Sequence, residues 1–128
     1  MADDYGFAVF IKNLAEGLSR FGVDLLGLDK NHELLKTAGF THVEEKVFKV
    51  PIGTWPKDPR MKTIGSYNRS VISDALQGVS MGPYTRGLKW SAEEVEAFLT
   101  GVRKSLQDKS VHSYYTFHVW YGQKSTTV

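Results

Sequence analysis

One segment constrains this chain more than any other: Val111–Tyr121 is almost wholly β-branched, aromatic or histidine. Under the two-residue alternation of a strand, Val111, Tyr115, Phe117 and Val119 point one way, and Tyr114, Thr116 and Trp120 the other. A strand apolar on both faces belongs inside a sheet that is covered on both sides. Only one other segment reads as a strand, Phe40–Ile52, where Val43, Val47, Phe48 and Val50 are interleaved with Glu44, Glu45, Lys46 and Lys49. Pro51 and Gly53 close it, and its partial alternation predicts one covered face and one wetter face. A strand pair alone is marginal in water. The sequence is short of strands for what its last strand expects.

The remaining segments read as helices. Phe7, Phe10, Ile11, Leu14, Leu18 and Phe21 recur at three- and four-residue spacing, which predicts one amphipathic helix from about Tyr5 to Phe21, stopped by Gly22. A short helix follows through Leu34, Leu35 and Ala38, ended by Gly39. Asp58-Pro59 is a helix start, with Asp58 as cap and Pro59 in the first turn. Met61, Ile64, Tyr67, Val71, Ile72, Ala75 and Leu76 then mark a stripe that ends near Gly78. Gly82, Pro83 and Gly87 predict a broken helix or turn between Ser80 and Trp90. Ser91-Ala92-Glu93-Glu94 is a capping box ahead of Val95, Phe98, Leu99, Val102 and Leu106. The order is helix, helix, strand, helix, helix, strand.

Composition narrows the function. A chain of 128 residues, 41% hydrophobic and 23% charged, is expected to form one domain with one core, without repeats or linkers. Its net charge of +2, from 16 basic and 14 acidic side chains, makes no case for a nucleic-acid surface. Without cysteine there is no disulfide, thiolate nucleophile or zinc-thiolate site. The acidic start Met1-Ala2-Asp3-Asp4 is unlike a secretory signal, and no window approaches the roughly 20 apolar residues of a membrane span. The expectation is a soluble, cytoplasmic protein with no nucleic-acid or membrane partner.

Several stretches carry a more specific message. Leu35-Lys36-Thr37-Ala38-Gly39-Phe40 leads into Val43-Glu44-Glu45-Lys46-Val47-Phe48-Lys49-Val50-Pro51-Ile52-Gly53, and Trp55-Pro56-Lys57-Asp58-Pro59-Arg60 follows. Gly65 to Asn68, Thr85-Arg86, Trp90-Ser91, His112-Ser113-Tyr114-Tyr115 and Val119-Trp120-Tyr121-Gly122-Gln123-Lys124 continue the series. In this order they resemble the C-terminal half of fungal LaeA-like, class I S-adenosylmethionine-dependent methyltransferases, and Trp55–Arg60 is the most specific match. The resemblance covers nearly the whole chain. It implies that Phe40–Ile52 is similar to the family's sixth strand and the last segment to its seventh, which lies antiparallel between the fifth and sixth.

On this resemblance the chain is expected to lack the cofactor-binding N-terminal half. Its final strand is then expected to pair with Phe40–Ile52 on one side and with nothing on the other. The expected fold is α/β, α+β-like in arrangement: a truncated class I methyltransferase fold with a short antiparallel strand pair and about four helices. It forms a single domain over residues 1–128, with a helical cap at about 54–90. No G-x-G-x-x-G follows a strand, so no S-adenosylmethionine site and no other cofactor is expected.

Candidate chemistry gathers in two places. His112 and Tyr114 are the candidate catalytic pair, because alternation puts His112, Tyr114 and His118 on one face, and histidine and tyrosine exchange protons or orient a carbonyl. Tyr115 opposes them as a substrate contact. The competing reading makes all of these aromatic core residues with a polar tip. The resemblance implies that the cap covers the acceptor substrate, which makes Trp55, Tyr67, Asn68, Tyr84 and Arg86 candidate substrate contacts. Packing or solvated roles compete for them equally. His32 and His42 lie apart from any carboxylate cluster, so no metal site is expected.

Two functions follow as expectations. One is a cofactor-independent enzyme of fungal specialised metabolism that guides a cyclisation, isomerisation or cycloaddition of a polyketide- or terpenoid-like small molecule. The other is a non-catalytic half-subunit or regulatory partner that completes another methyltransferase. In either case the open edge of the last strand must be covered, and a two-fold homodimer or a complex with a methyltransferase half is the expected assembly.

Overall fold

The computed structural model describes residues 5–126; the acidic Met1–Asp4 stretch lies outside them. Helix α1 spans Gly6–Ser19, a single 3₁₀ turn at Leu28–Lys30 leads into α2 (Asn31–Thr37), and strand β1 covers Thr41–Pro51. Helix α3 spans Pro59–Gly82 and passes through a π-helical turn at Pro83–Gly87 to α4 (Ala92–Leu106) and strand β2 (Tyr114–Gln123). Four α-helices and one antiparallel strand pair are the arrangement the sequence predicts.

Local chemistry sets the helix starts. The Asp58 carboxylate accepts from the Met61 amide at 2.9 Å, and Pro59 opens α3 where its missing N–H costs nothing. The Ser91 hydroxyl accepts from the Glu94 amide at 3.1 Å while the Glu94 carboxylate accepts from the Ser91 amide at 3.2 Å, the reciprocal box that starts α4.

The core lies among α1, α3, the π-helical turn and α4. Phe10, Leu14, Leu76, Tyr84, Val95, Leu99 and Val102 are buried there, and Ile52, just past β1, joins the same cluster. Helix α1 crosses the turn at its closest point through Gly17, where a Cβ would meet the Pro83 carbonyl oxygen at 2.6 Å. The strands contribute little to this core. Phe48 and Phe117, directly paired across the ladder, are 52% and 53% exposed, and Val47 is 54% exposed.

Two boundaries differ from the sequence expectation. Helix α3 runs on past Gly78 to Gly82; Gly78 faces open space, and one glycine's helix penalty of about 1 kcal/mol is outweighed by the buried Leu76 and Ser80 on either side. Strand β2 begins at Tyr114, not Val111, because Ser113 turns its backbone to the loop after β1. Its carbonyl accepts from the Ile52 amide at 3.0 Å and from Trp55 Nε1–H at 2.8 Å. The last strand does lie open. It pairs with β1 alone among the described residues, and Tyr114, Tyr115, Phe117, Val119 and Tyr121 are all exposed.

Candidate functional site

An open cleft of about 720 Å³ lies where α1, α3 and the start of β2 meet. Phe7, Ala8 and Ile11 form its α1 wall. Asn68, Val71 and Ile72, three and four residues apart on α3, form the facing wall. Ile52, Tyr114 and Tyr115 close the end. Among the described residues no lining side chain is charged.

A close backbone approach puts Asn68 there. The Gly53 amide donates to the Gly65 carbonyl at 2.9 Å, and a Cβ on Gly65 would lie 1.9 Å from the Gly53 oxygen, so any larger residue would push α3 away from the strand end. Held this close, Asn68 Nδ2 donates to the Pro51 carbonyl at 2.9 Å. Its Oδ1 accepts from the Tyr115 hydroxyl at 3.3 Å. The result is an apolar cleft with one positioned polar pair, the usual make-up of a small-molecule site.

The candidate catalytic pair is not assembled as alternation suggested. His112 precedes β2, so it follows no strand alternation; it stacks on Trp55 with ring centroids 5.0 Å apart and planes 7° from parallel. Tyr114 borders the cleft, with the Lys49 ammonium 3.9 Å above its ring centre. Among the described residues no hydrogen bond joins His112 to Tyr114. His118 is occupied elsewhere, 2.7 Å from the Glu45 carboxylate and 3.1 Å from the Thr116 hydroxyl, with its ring stacked on Trp120.

The substrate-contact candidates divide. Asn68 and Tyr115 meet in the cleft, and Trp55 lies outside it, bordering a shallower hollow of about 260 Å³ with Lys49, Pro51 and Met61. Tyr67 is 72% exposed and is not part of the cleft wall. Tyr84 is a core residue: its hydroxyl donates to the Phe10 carbonyl at 2.9 Å, and its ring meets Phe10, Trp90 and Phe98. Burial holds that phenol well above the ordinary tyrosine range, which keeps it neutral. Arg86 lies over the Phe21 ring at 6.0 Å, away from the cleft. The apolar walls were the missed part. The wall residues Phe7, Ile11, Val71 and Ile72 belong to the α1 and α3 stripes, whose spacing predicts only a core-facing surface, and Ala8 beside Phe7 widens the α1 stripe into a second apolar surface.

The described residues do not fit S-adenosylmethionine. Gly53 follows β1 with a left-handed φ of 102°, but its amide is bound to Gly65 and α3 fills the space behind it, so no glycine cradle is open. Among the described residues no group of three or more His, Asp and Glu converges to hold a metal ion. Among the same residues no helix is long and apolar enough to cross a membrane.

Four helices against a short antiparallel pair, with the pairing strand last in the chain, make this a small α/β remnant of a methyltransferase fold. Over about 70% of its length the chain is similar to LaeA-like methyltransferase sequences. It is 32% identical over 96 residues to the secondary metabolism regulator LAE1 of Cochliobolus heterostrophus, a match over 74% of this chain and 31% of that protein. It is 36% identical over 90 residues to the methyltransferase pytC of Aspergillus terreus, covering 70% of this chain and 28% of that one. The protein-methionine methyltransferase laeA of Emericella nidulans is 22% identical over 90 residues, with 70% and 24% covered. The chain thus spans a third or less of the length of these curated relatives. No family model and no solved structure matches it.

Proposed function

We propose that this chain is a cytoplasmic small-molecule-binding protein of specialised metabolism, derived from the methyltransferase family and working without S-adenosylmethionine. Its site is the cleft between α1, α3 and β2, where it guides a cofactor-independent cyclisation, isomerisation or cycloaddition of a polyketide- or terpenoid-like ligand. The observation that carries this reading is the Asn68–Tyr115 hydrogen-bonded pair set in uncharged walls. Reactions of this class need a shaped apolar surface and a fixed polar contact more than they need a cofactor, which is what supports this reading of the cleft. The names of two relatives, each a secondary metabolism regulator, support the metabolic setting.

The test is native mass spectrometry with a panel of polyketide- and terpenoid-like metabolites, comparing the natural chain with Ile11→Trp, whose larger ring narrows the cleft. A 1:1 complex lost in the variant supports the reading, as does product formed without S-adenosylmethionine. A complex unchanged by Ile11→Trp, or a 1:1 micromolar complex with S-adenosylmethionine in calorimetric titration, would sink it.

A second reading concerns assembly, and the contrast between the two strands favours it. Strand β1 carries Glu44, Glu45, Lys46, Lys49 and Pro51, with an irregular register between Thr41 and Glu44. Charges, proline and bulges are the devices that keep an edge strand from pairing. Strand β2 has no Asp, Glu, Lys, Arg or Pro along all ten residues. We propose that the free edge of β2 pairs with β2 of a second copy; a methyltransferase half in that place is the alternative outcome.

A further inference from the structure

We infer that the cleft selects an uncharged ligand that offers a hydrogen-bond donor, such as a phenol, enol or alcohol, to the Tyr115 hydroxyl; this rests on the cleft being a ligand site. The direction of the contact follows from hydrogen bonds that begin in the backbone. The Pro51 carbonyl only accepts, so the Asn68 atom 2.9 Å from it is the amide nitrogen. That places the amide oxygen on the Tyr115 side, and an amide oxygen also only accepts. The Tyr115 hydroxyl, 3.3 Å away, therefore commits its one proton to Asn68.

A phenol with its proton committed still has lone pairs. A ligand O–H donates to Tyr115 and leaves the relay from Pro51 through Asn68 intact. A ligand carbonyl would have to draw the Tyr115 proton away from Asn68, leaving the amide oxygen unpaired against apolar walls, which is unfavourable. Tyr115 is 40% exposed, so a ligand in the cleft reaches its hydroxyl.

Charge is excluded by the walls. Phe7, Ile11, Ile52, Val71 and Ile72 give an ionised group no partner, and a desolvated, unpaired charge binds poorly. Among the described residues Lys49 is a cation held against a lining residue, its ammonium over the Tyr114 ring. An anion drawn to Lys49 would be the exception.

Three probes of one shape separate these cases: 2-naphthol, 2-methoxynaphthalene and 2-naphthoate, titrated calorimetrically against the full chain. The expected order puts naphthol about fivefold to tenfold tighter than its methyl ether, the range of one net hydrogen bond, with naphthoate weakest. Tyr115→Phe keeps the ring wall and should bring naphthol and ether to equal affinity. Asn68→Leu frees the Tyr115 proton and should narrow the same ratio, with circular dichroism confirming that the variant is folded. Equal binding of naphthol and ether by the natural chain, or a preference that survives Tyr115→Phe, overturns the inference and leaves the cleft as a binding site. Naphthoate binding tightest overturns it in favour of an anion site at Lys49. Binding that Ile11→Trp does not weaken, or no binding by any probe, overturns the inference together with the site reading beneath it.

Discussion

The helical part of the molecule and its strand ribbon both carry regularly spaced apolar residues, yet these end in opposite states. Leu76, Val95 and Leu99 are fully shielded among α1, α3 and α4, whereas Phe48, Phe117, Val47 and Tyr121 on β1 and β2 remain in water. The helices meet one another around a single cluster and need nothing further. The ribbon has two strands, two faces and few residues opposite either face, so its apolar side chains lack partners within the described residues. Hydrophobicity drives burial only where the fold supplies a second layer. The ribbon is where apolar surface stays open among the described residues, and its base, where Ile52 enters the core and Tyr115 meets Asn68, is where the two regions join.

The sharpest way to break this comparison is to make the same deletion in both regions. Leu99→Ala empties space in a sealed core and should cost about 2–5 kcal/mol in denaturant unfolding. Phe117→Ala removes a larger ring that is already 53% exposed, and in dilute monomer it should cost about 1 kcal/mol or less. Equal losses would show that the ribbon is packed as tightly as the helices, and the contrast would fail.

Assembly sharpens the comparison next. If the free edge of β2 pairs across a two-fold axis, sedimentation at low micromolar concentration should find a dimer. Val119→Glu, which adds a charge to a strand without Asp, Glu, Lys or Arg and faces Lys46 within its own ladder, should weaken that dimer tenfold or more while helix content stays constant. A folded natural chain that sediments as a monomer would mean the ribbon tolerates its exposed edge. A two-fold axis normal to the sheet joins like faces, so edge pairing satisfies the backbone without hiding Phe48 and Phe117. Covering those rings needs helices laid across the joined sheet as well.

What the sequence disclosed follows the same division. Where structure depends on neighbours a few residues away, it was legible: the Asp58-Pro59 start, the Ser91–Glu94 box, the α4 stripe and the α1 stripe from Phe7 to Leu18 lie where spacing placed them, while Phe21 falls past the end of α1 and is exposed. The strand deficit was legible too, because apolarity on both faces is a local property. The site was legible only in part. Asn68 and Tyr115 were both singled out, but their contact depends on Gly65 admitting α3 to the Gly53 backbone, a long-range approach that no periodicity reveals. Tyr84 illustrates the converse: a tyrosine in a glycine- and proline-rich turn looks available, yet α1, α4 and Trp90 close around it. His112 was assigned a face by extending β2 three residues too far, and Ser113's bonds to the loop after β1 set the true start.

The smallest expected structural effect lies at the ribbon's base and bears most directly on function. Tyr114 is 43% exposed, and no hydrogen bond holds its hydroxyl in the described structure, so Tyr114→Phe should change stability by less than about 0.5 kcal/mol. Its ring, which carries the contact with Lys49, is retained. Any effect of this variant on turnover therefore reports the hydroxyl's work on a ligand in the cleft, and a tenfold loss with an unchanged unfolding curve would assign it that work. His112→Ala differs in kind, because it removes a ring stacked on Trp55 and should loosen the loop that Ser113 holds. If His112 acts only through that stack, His112→Phe should restore turnover that His112→Ala loses. Failure of the phenyl ring to restore it, with the fold intact, would make the imidazole a proton-handling group. Turnover unchanged in Tyr114→Phe and in both His112 variants would leave the two residues as packing and confine the chemistry to Asn68 and Tyr115.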